Sequence, residues 1–267
     1  MAAQRISVRS LMRETLAAIG SVYAPLLAIN FVEFLIVAVL MNRMLGSGDI
    51  ALNIIYWFLA FPLLCGTLVF YLYRNLIENQ VTIGEAFKQA NRRLLQLMLA
   101  NIPNLISVLL VFMLESFYPG GGTWPYFIFL GNILGHPVYV LLALGLILLI
   151  FLWSYVGFRF TFSCYGTVIN NSSALHSVNS SWKITKGRFW LICRSIFLLF
   201  FVGTVPKVLG AILIYLIQQL AIAELWGSLG LVAQITILIL ICLANALIDV
   251  YLVLLYLRLR ESAAATQ

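Results

Sequence analysis

Runs of apolar residues alternate with short polar stretches along most of the chain. A helix needs ~20 apolar residues to cross the ~30 Å of bilayer hydrocarbon, so each long run predicts a membrane span. The runs fall at about 22–45, 50–73, 94–117, 137–160, 190–217 and 229–257, about six crossings in all. The expected fold is all-α: a polytopic six-helix transmembrane bundle forming a single integral membrane domain over 1–267. The loops between the runs are too short to hold a soluble domain of ordinary size.

Two polar stretches carry a second pattern. In Thr82-Ile83-Gly84-Glu85, Thr82 is placed to cap a helix and Glu85 to reciprocate, a capping box. Ile83, Ala86, Phe87, Ala90 and Leu94 follow at helical spacing, with Lys88, Gln89, Arg92 and Arg93 on the other face. This predicts an amphipathic surface helix at about 82–93. A second is predicted at about 172–187, with Ser172 as its cap and Leu175, Val178 and Trp182 as its apolar stripe. Lys186 falls in its last turn and Gly187 at the position after the cap. The two segments align without gaps, Ala86-Phe87 against Ala174-Leu175 and Ala90-Asn91 against Val178-Asn179. That alignment points to an internal repeat of two helical units.

Charge orients the bundle. Every Lys and Arg except Arg43 and Lys207 falls in the N-terminal segment, the second-to-third connection, the fourth-to-fifth connection or the tail. With six spans these four segments share one side, so the positive-inside rule makes both termini cytoplasmic. The opposite loops offer Arg43 beside Asp49, Glu115 and Glu224. Composition agrees: 63% of residues are hydrophobic and 9% charged, and the mean hydropathy is +1.04. The net charge of +7 is tied to the membrane plane, which argues against nucleic acid as a partner. The first apolar run is too long for a signal-peptide core and reads as a retained helix. The expected setting is a bacterial plasma membrane or an internal membrane such as a thylakoid.

Candidate chemistry is sparse. Cys65, Cys164, Cys193 and Cys242 are scattered, without metal-ligand spacing. His136 and His176 have no catalytic or ligand partner at a recognisable distance along the chain, and no cofactor or metal is expected. The Tyr118–Phe127 loop is rich in glycine, proline and aromatics, which suits the headgroup zone and not a phosphate cradle. The Asn-x-Ser patterns near Asn170, Asn171 and Asn179 fall on the cytoplasmic side, away from glycosylation. Glu33, Arg159, Lys207 and Asp249 are the candidate intramembrane polar residues. Such groups are costly in hydrocarbon unless paired, hydrated or neutralised. Glu33 reads either as a coupling site for a proton or cation or as a neutral carboxyl bonded to a neighbouring helix. Lys207 reads as snorkelling or as a partner of Glu224, Glu115 or Glu33. Arg159 and Asp249, at similar depth, are expected to form a salt bridge. Pro62, Pro103 and Pro206 predict kinks.

At the two surface helices the chain resembles a known family. Ser181-Trp182-Lys183-Ile184-Thr185-Lys186-Gly187-Arg188-Phe189-Trp190, Val81-Thr82-Ile83-Gly84-Glu85-Ala86-Phe87 and the ending Tyr256-Leu257-Arg258-Leu259-Arg260 are similar to segments of a bacterial six-helix membrane-domain family. That family includes the membrane-anchor domain of some glycerophosphoryl diester phosphodiesterases. Members often have a basic residue before the Ser-Trp pair, where this chain has Ser180. The resemblance implies a six-helix bundle with two cytoplasmic surface helices. It implies no phosphodiesterase activity, because that chemistry resides in a separate catalytic domain absent here.

The expectation for function is a non-enzymatic membrane protein that organises lipid or partner membrane proteins. Arg92, Arg93, Trp182, Lys183, Lys186 and Arg188 are its expected contacts to lipid headgroups, anionic ones above all, or to a membrane-protein partner. The alternative is a small proton- or solute-coupled transporter or channel using Glu33 and Lys207.

Overall fold

The computed structural model describes residues 6–47, 55–77, 81–103, 155, 157, 159–220 and 226–264, and every regular element among them is helical. The first, α1 (Val8–Ser47), turns by 91° between Val8–Gly20 and Val22–Ile36. The elbow has a local cause. Pro25 lies inside the helix; its missing N–H and its ring act on the carbonyl four residues earlier, that of Ser21. Gly20 and Ser21 are adjacent there, a pair at which helices commonly kink.

A π-helical turn at Tyr56–Ala60 runs into α2 (Phe61–Ile77). Pro62 lacks the donor that would reach the Phe58 carbonyl, and the wider turn stands at that gap, with the Phe61 N–H reaching Tyr56 O. The next helix, α3 (Ile83–Arg92), starts on the expected capping box. The Glu85 N–H donates to Thr82 Oγ1 at 3.3 Å, and the Thr82 N–H donates to Glu85 Oε2 at 3.0 Å. The Thr82 backbone N–H, then its hydroxyl, hold the Glu85 carboxyl below the usual carboxylate range. Ala86 and Ala90 form the buried face of α3.

Helix α4 (Leu94–Pro103) follows one residue later. Residues 159–169 form α5, and α6 (Ala174–Thr185) follows after a short turn. Ser173, not Ser172, is the N-cap residue of α6, and its side chain makes no capping bond. The capping acceptor comes from another helix instead: the Ala174 N–H donates to Gln96 Oε1 on α4 at 3.0 Å. Ser172 Oγ points back to Gly166 O at 2.9 Å. At the other end Lys186 is the C-cap and Gly187 takes the expected left-handed conformation at φ +75°. Two long helices, α7 (Phe189–Leu220) and α8 (Trp226–Ala264), pack on each other, and α8 packs on α1.

Phe58–Ile77, Phe189–Gly210 and Ile235–Ala264 are long and apolar enough to cross a membrane, and the bent pair in α1 makes a fourth if counted as one span. Most of the expected third and fourth spans, the Tyr118–Phe127 loop, His136, Glu115 and Glu224 lie outside the described residues. The core gathers Leu11 and Leu26 from α1, Leu72 from α2, Leu97 from α4, Phe162 from α5, and Tyr251, Leu255, Tyr256 and Leu259 from α8. Phe162, Tyr165 and Tyr256 meet as a triangle of rings with centroids 5.6–5.7 Å apart.

Two helix contacts are made at glycines. A methyl group added to Gly66 on α2 would lie 3.4 Å from Ala90 Cβ on α3, and one added to Gly166 on α5 would lie 3.3 Å from Ser177 Cβ on α6. Each glycine lets its helix lie close to the short helix that follows.

Candidate functional site

Helix α6 is held by one of its sides and displays another. Ala174, Ser177, Ser181, Ile184 and Thr185 are buried, a stripe at helical spacing made mostly of small or hydroxyl-bearing residues. Thr167 Oγ1 donates to Ser177 Oγ at 3.0 Å, and Ser181 Oγ donates to the Arg159 carbonyl oxygen. Under the last turn lies the Arg159 guanidinium, in a residue only 7% exposed. Its Nε donates to Thr185 Oγ1 at 2.7 Å and its Nη2 to Trp182 O at 2.9 Å. It stacks 3.6 Å from the centre of the Trp182 ring, with the Tyr155 ring 5.4 Å away. A cation at a helix C-terminus meets carbonyls that have no partner within the helix, and the field of the helix favours it there.

The bundle covers the expected apolar stripe of α6 only in part, with Val178 half-buried and one side of the Trp182 ring on Arg159. Leu175 is 85% exposed and Trp182 45% exposed, and Lys183 and Lys186 are exposed beside them. On α3, Phe87 is 45% exposed and Arg92 is exposed. Trp190, at the start of α7, is 72% exposed. Two further residues expected at the headgroups, Arg93 and Arg188, are half-buried and bonded within the protein. Arg93 Nη1 donates to Thr167 O at 3.2 Å. Arg188 Nη2 donates to Ser262 Oγ at 2.5 Å, and burial pushes its guanidinium down from its ordinary value. Both tie helices together. His176 is exposed.

The expected Arg159–Asp249 salt bridge does not form: Arg159 is committed to α6, and Asp249 Oδ2 accepts from Asn30 Nδ2 at 3.2 Å. Asn30 Nδ2 also reaches Leu26 O at 3.1 Å. One turn further along α1, Glu33 Oε1 accepts from the Tyr56 hydroxyl at 3.2 Å, on the π-helical turn. Lys207 lies on α7, its side chain outside the described atoms. No group of three or more His, Cys, Asp or Glu suited to a metal ion occurs among the described residues.

The C-terminal turns of α8 collect the other elements. Arg258 Nη2 pairs with Glu14 Oε2 on α1 at 3.0 Å, and its Nη1 with Glu261 Oε2 at 3.1 Å. The Tyr256 hydroxyl accepts from Asn170 Nδ2 at 2.9 Å, and Ser262 receives Arg188. Sequence reasoning missed the docked side of α6, although Ser177, Ser181 and Thr185 recur every four residues. A hydroxyl stripe of that spacing next to an apolar one signals a helix with two occupied sides. No protein-family description, no curated protein and no solved structure matches the chain.

Proposed function

We propose that the chain is a non-enzymatic integral membrane protein that organises lipid, or partner membrane proteins, through basic amphipathic helices on the cytoplasmic face. The reading takes the bundle as six-spanned with both termini cytoplasmic, as the positive-inside pattern and the family resemblance imply. Its strongest support is α6. Leu175 and Trp182 are exposed beside Lys183 and Lys186, while the neighbouring side of the same helix is bonded to the bundle through Arg159. An exposed Leu and Trp are unfavourable in water and favourable at the boundary of headgroups and acyl chains. Each lysine near an anionic surface adds ~1 kcal/mol. Helix α3, with exposed Phe87 and Arg92, repeats the arrangement.

The test is native mass spectrometry of the protein extracted in mild detergent. Anionic phospholipid is expected to be enriched over its share of the source membrane. Leu175→Ser combined with Lys183→Gln and Lys186→Gln is expected to abolish the enrichment while the protein still inserts. Recovery of wild-type protein bare of both anionic lipid and a stoichiometric protein partner sinks the proposal.

A second reading is a proton- or solute-coupled transporter built on Glu33 and Lys207. The Tyr56–Glu33 and Asn30–Asp249 bonds favour it, since they set two carboxyls on facing helices. Flux in proteoliposomes that survives Glu33→Gln unchanged removes this reading.

A further inference from the structure

The limb of α1 before its elbow packs Leu11 into the core and pairs Glu14 with Arg258. It spans Val8–Gly20, about 20 Å at 1.5 Å per residue, too short for the ~30 Å of hydrocarbon. It leaves the direction of Val22–Ile36 at 91°. If the second limb stands in the membrane, the first runs along its plane.

The limb has two sides. Leu11 and Thr15 are buried, at 1% and 0% exposure, and Met12, Ala18 and Ile19 pack partly against the core. Arg9, Arg13, Leu16 and Ala17 are exposed, Leu16 at 54%. These four recur at helical spacing, with the arginines at the far end and the apolar pair next to the elbow. Glu14, the acid of the limb, is paired with Arg258. The exposed side is thus basic, and Ser7, Arg9, Ser10, Arg13 and Glu14 line a shallow open cleft at its start.

We infer that Val8–Gly20 is a third interfacial helix, which lies on the cytoplasmic leaflet and binds an anionic lipid surface through Arg9 and Arg13. The inference rests on the membrane reading above and deepens it by naming a further contact and its partner. The observations agree on this occupant. The apolar pair enters the leaflet at the elbow where the chain turns into the membrane, and the arginines reach the phosphates. The elbow, set by Gly20, Ser21 and Pro25, fixes the limb in that plane.

The test places an environment-sensitive fluorophore on Leu16→Cys in the full chain, reconstituted in vesicles of phosphatidylcholine alone or mixed with phosphatidylglycerol. Labelled wild-type protein sets the background from the native cysteines. Quenching by brominated lipid is expected, stronger with phosphatidylglycerol and suppressed by salt. Arg9→Gln and Arg13→Gln are each expected to weaken the preference for the anionic vesicles by about fivefold. No quenching in either vesicle, or equal quenching in both, overturns the inference. The same label on Leu175→Cys separates the two proposals. Quenching there with none at Leu16 overturns the limb alone, and quenching at neither overturns the lipid contact of α6 as well.

Discussion

Arg159 grips Trp182 twice: its guanidinium lies 3.6 Å from the ring centre, and its Nη2 donates to the carbonyl oxygen of the same residue at 2.9 Å. One side chain thus fixes both the position of α6 and the direction in which its tryptophan points. Arg159→Met removes two charge-assisted hydrogen bonds and a cation–π contact, a loss on the order of 2–4 kcal/mol locally. Amide exchange over residues 181–185 is expected to accelerate by about a hundredfold, with α8 unaffected. Arg159→Lys should fall between, because an ammonium cannot offer the planar fork. Equal exchange in wild type and Arg159→Met contradicts the anchoring role.

Gly66 sets how closely α2 meets its neighbours. A methyl group there would come 2.5 Å from Leu97 Cδ1 and 3.4 Å from Ala90 Cβ. Gly66→Ala is expected to cost about 1–3 kcal/mol through overpacking, and Leu97→Ala about 2–5 kcal/mol through the cavity it leaves. The two changes relieve each other, so the double variant should be more stable than the sum of the singles predicts. Unfolding midpoints in detergent measure this. Simple additivity means that the two side chains do not share the space.

The α3 capping box gives one pH dependence outside the spans. Thr82 holds the folded-state Glu85 carboxyl below its ordinary value of 4.5. The carboxylate's contribution is therefore fully present above about that pH and is lost as pH falls through the lower, folded-state value. Amide protection across residues 86–90, corrected for intrinsic exchange, is expected to decline in that acidic window. Glu85→Gln, which keeps an acceptor without a charge, should flatten the profile. A wild-type profile already flat there excludes the linkage.

Pro25 should control the elbow of α1. Pro25→Ala restores an N–H for the Ser21 carbonyl and removes the ring that crowds it. Spin labels at exposed Arg9 and Arg260 are expected to show a longer and broader distance distribution in the variant. An unchanged distribution assigns the bend to packing of Leu11 and Val22 against the core instead.

The parts of the fold that were legible in the sequence are those written in neighbouring residues. The Thr82–Glu85 box and the left-handed Gly187 depend on contacts within a few positions, and both occur as expected. Apolar runs pointed to candidate spans where the second, fifth and sixth were expected, at Phe58–Ile77, Phe189–Gly210 and Ile235–Ala264, but not to their limits, since composition fixes that a span exists more tightly than where it ends. The Arg159–Asp249 pairing failed for a different reason. Depth along a span restricts which residues are level with one another but not which side of a helix each occupies. Arg159 found carbonyl and hydroxyl acceptors on α6, and Asp249 found Asn30, 219 positions away. The α1 elbow was foreshadowed by Gly20, Ser21 and Pro25 together, a signal split by the expected start of the first run at about 22.

The ion pair between Glu14 and Arg258 joins residues 244 positions apart. Ribosomes add about 5–20 residues per second, so Arg258 emerges on the order of 10–50 s after Glu14. Throughout that interval Glu14 lacks the Arg258 guanidinium that pairs with it in the folded chain. Closure of the pair therefore waits for the last turns of α8, and it ties the first limb of α1 to a helix made tens of seconds after it.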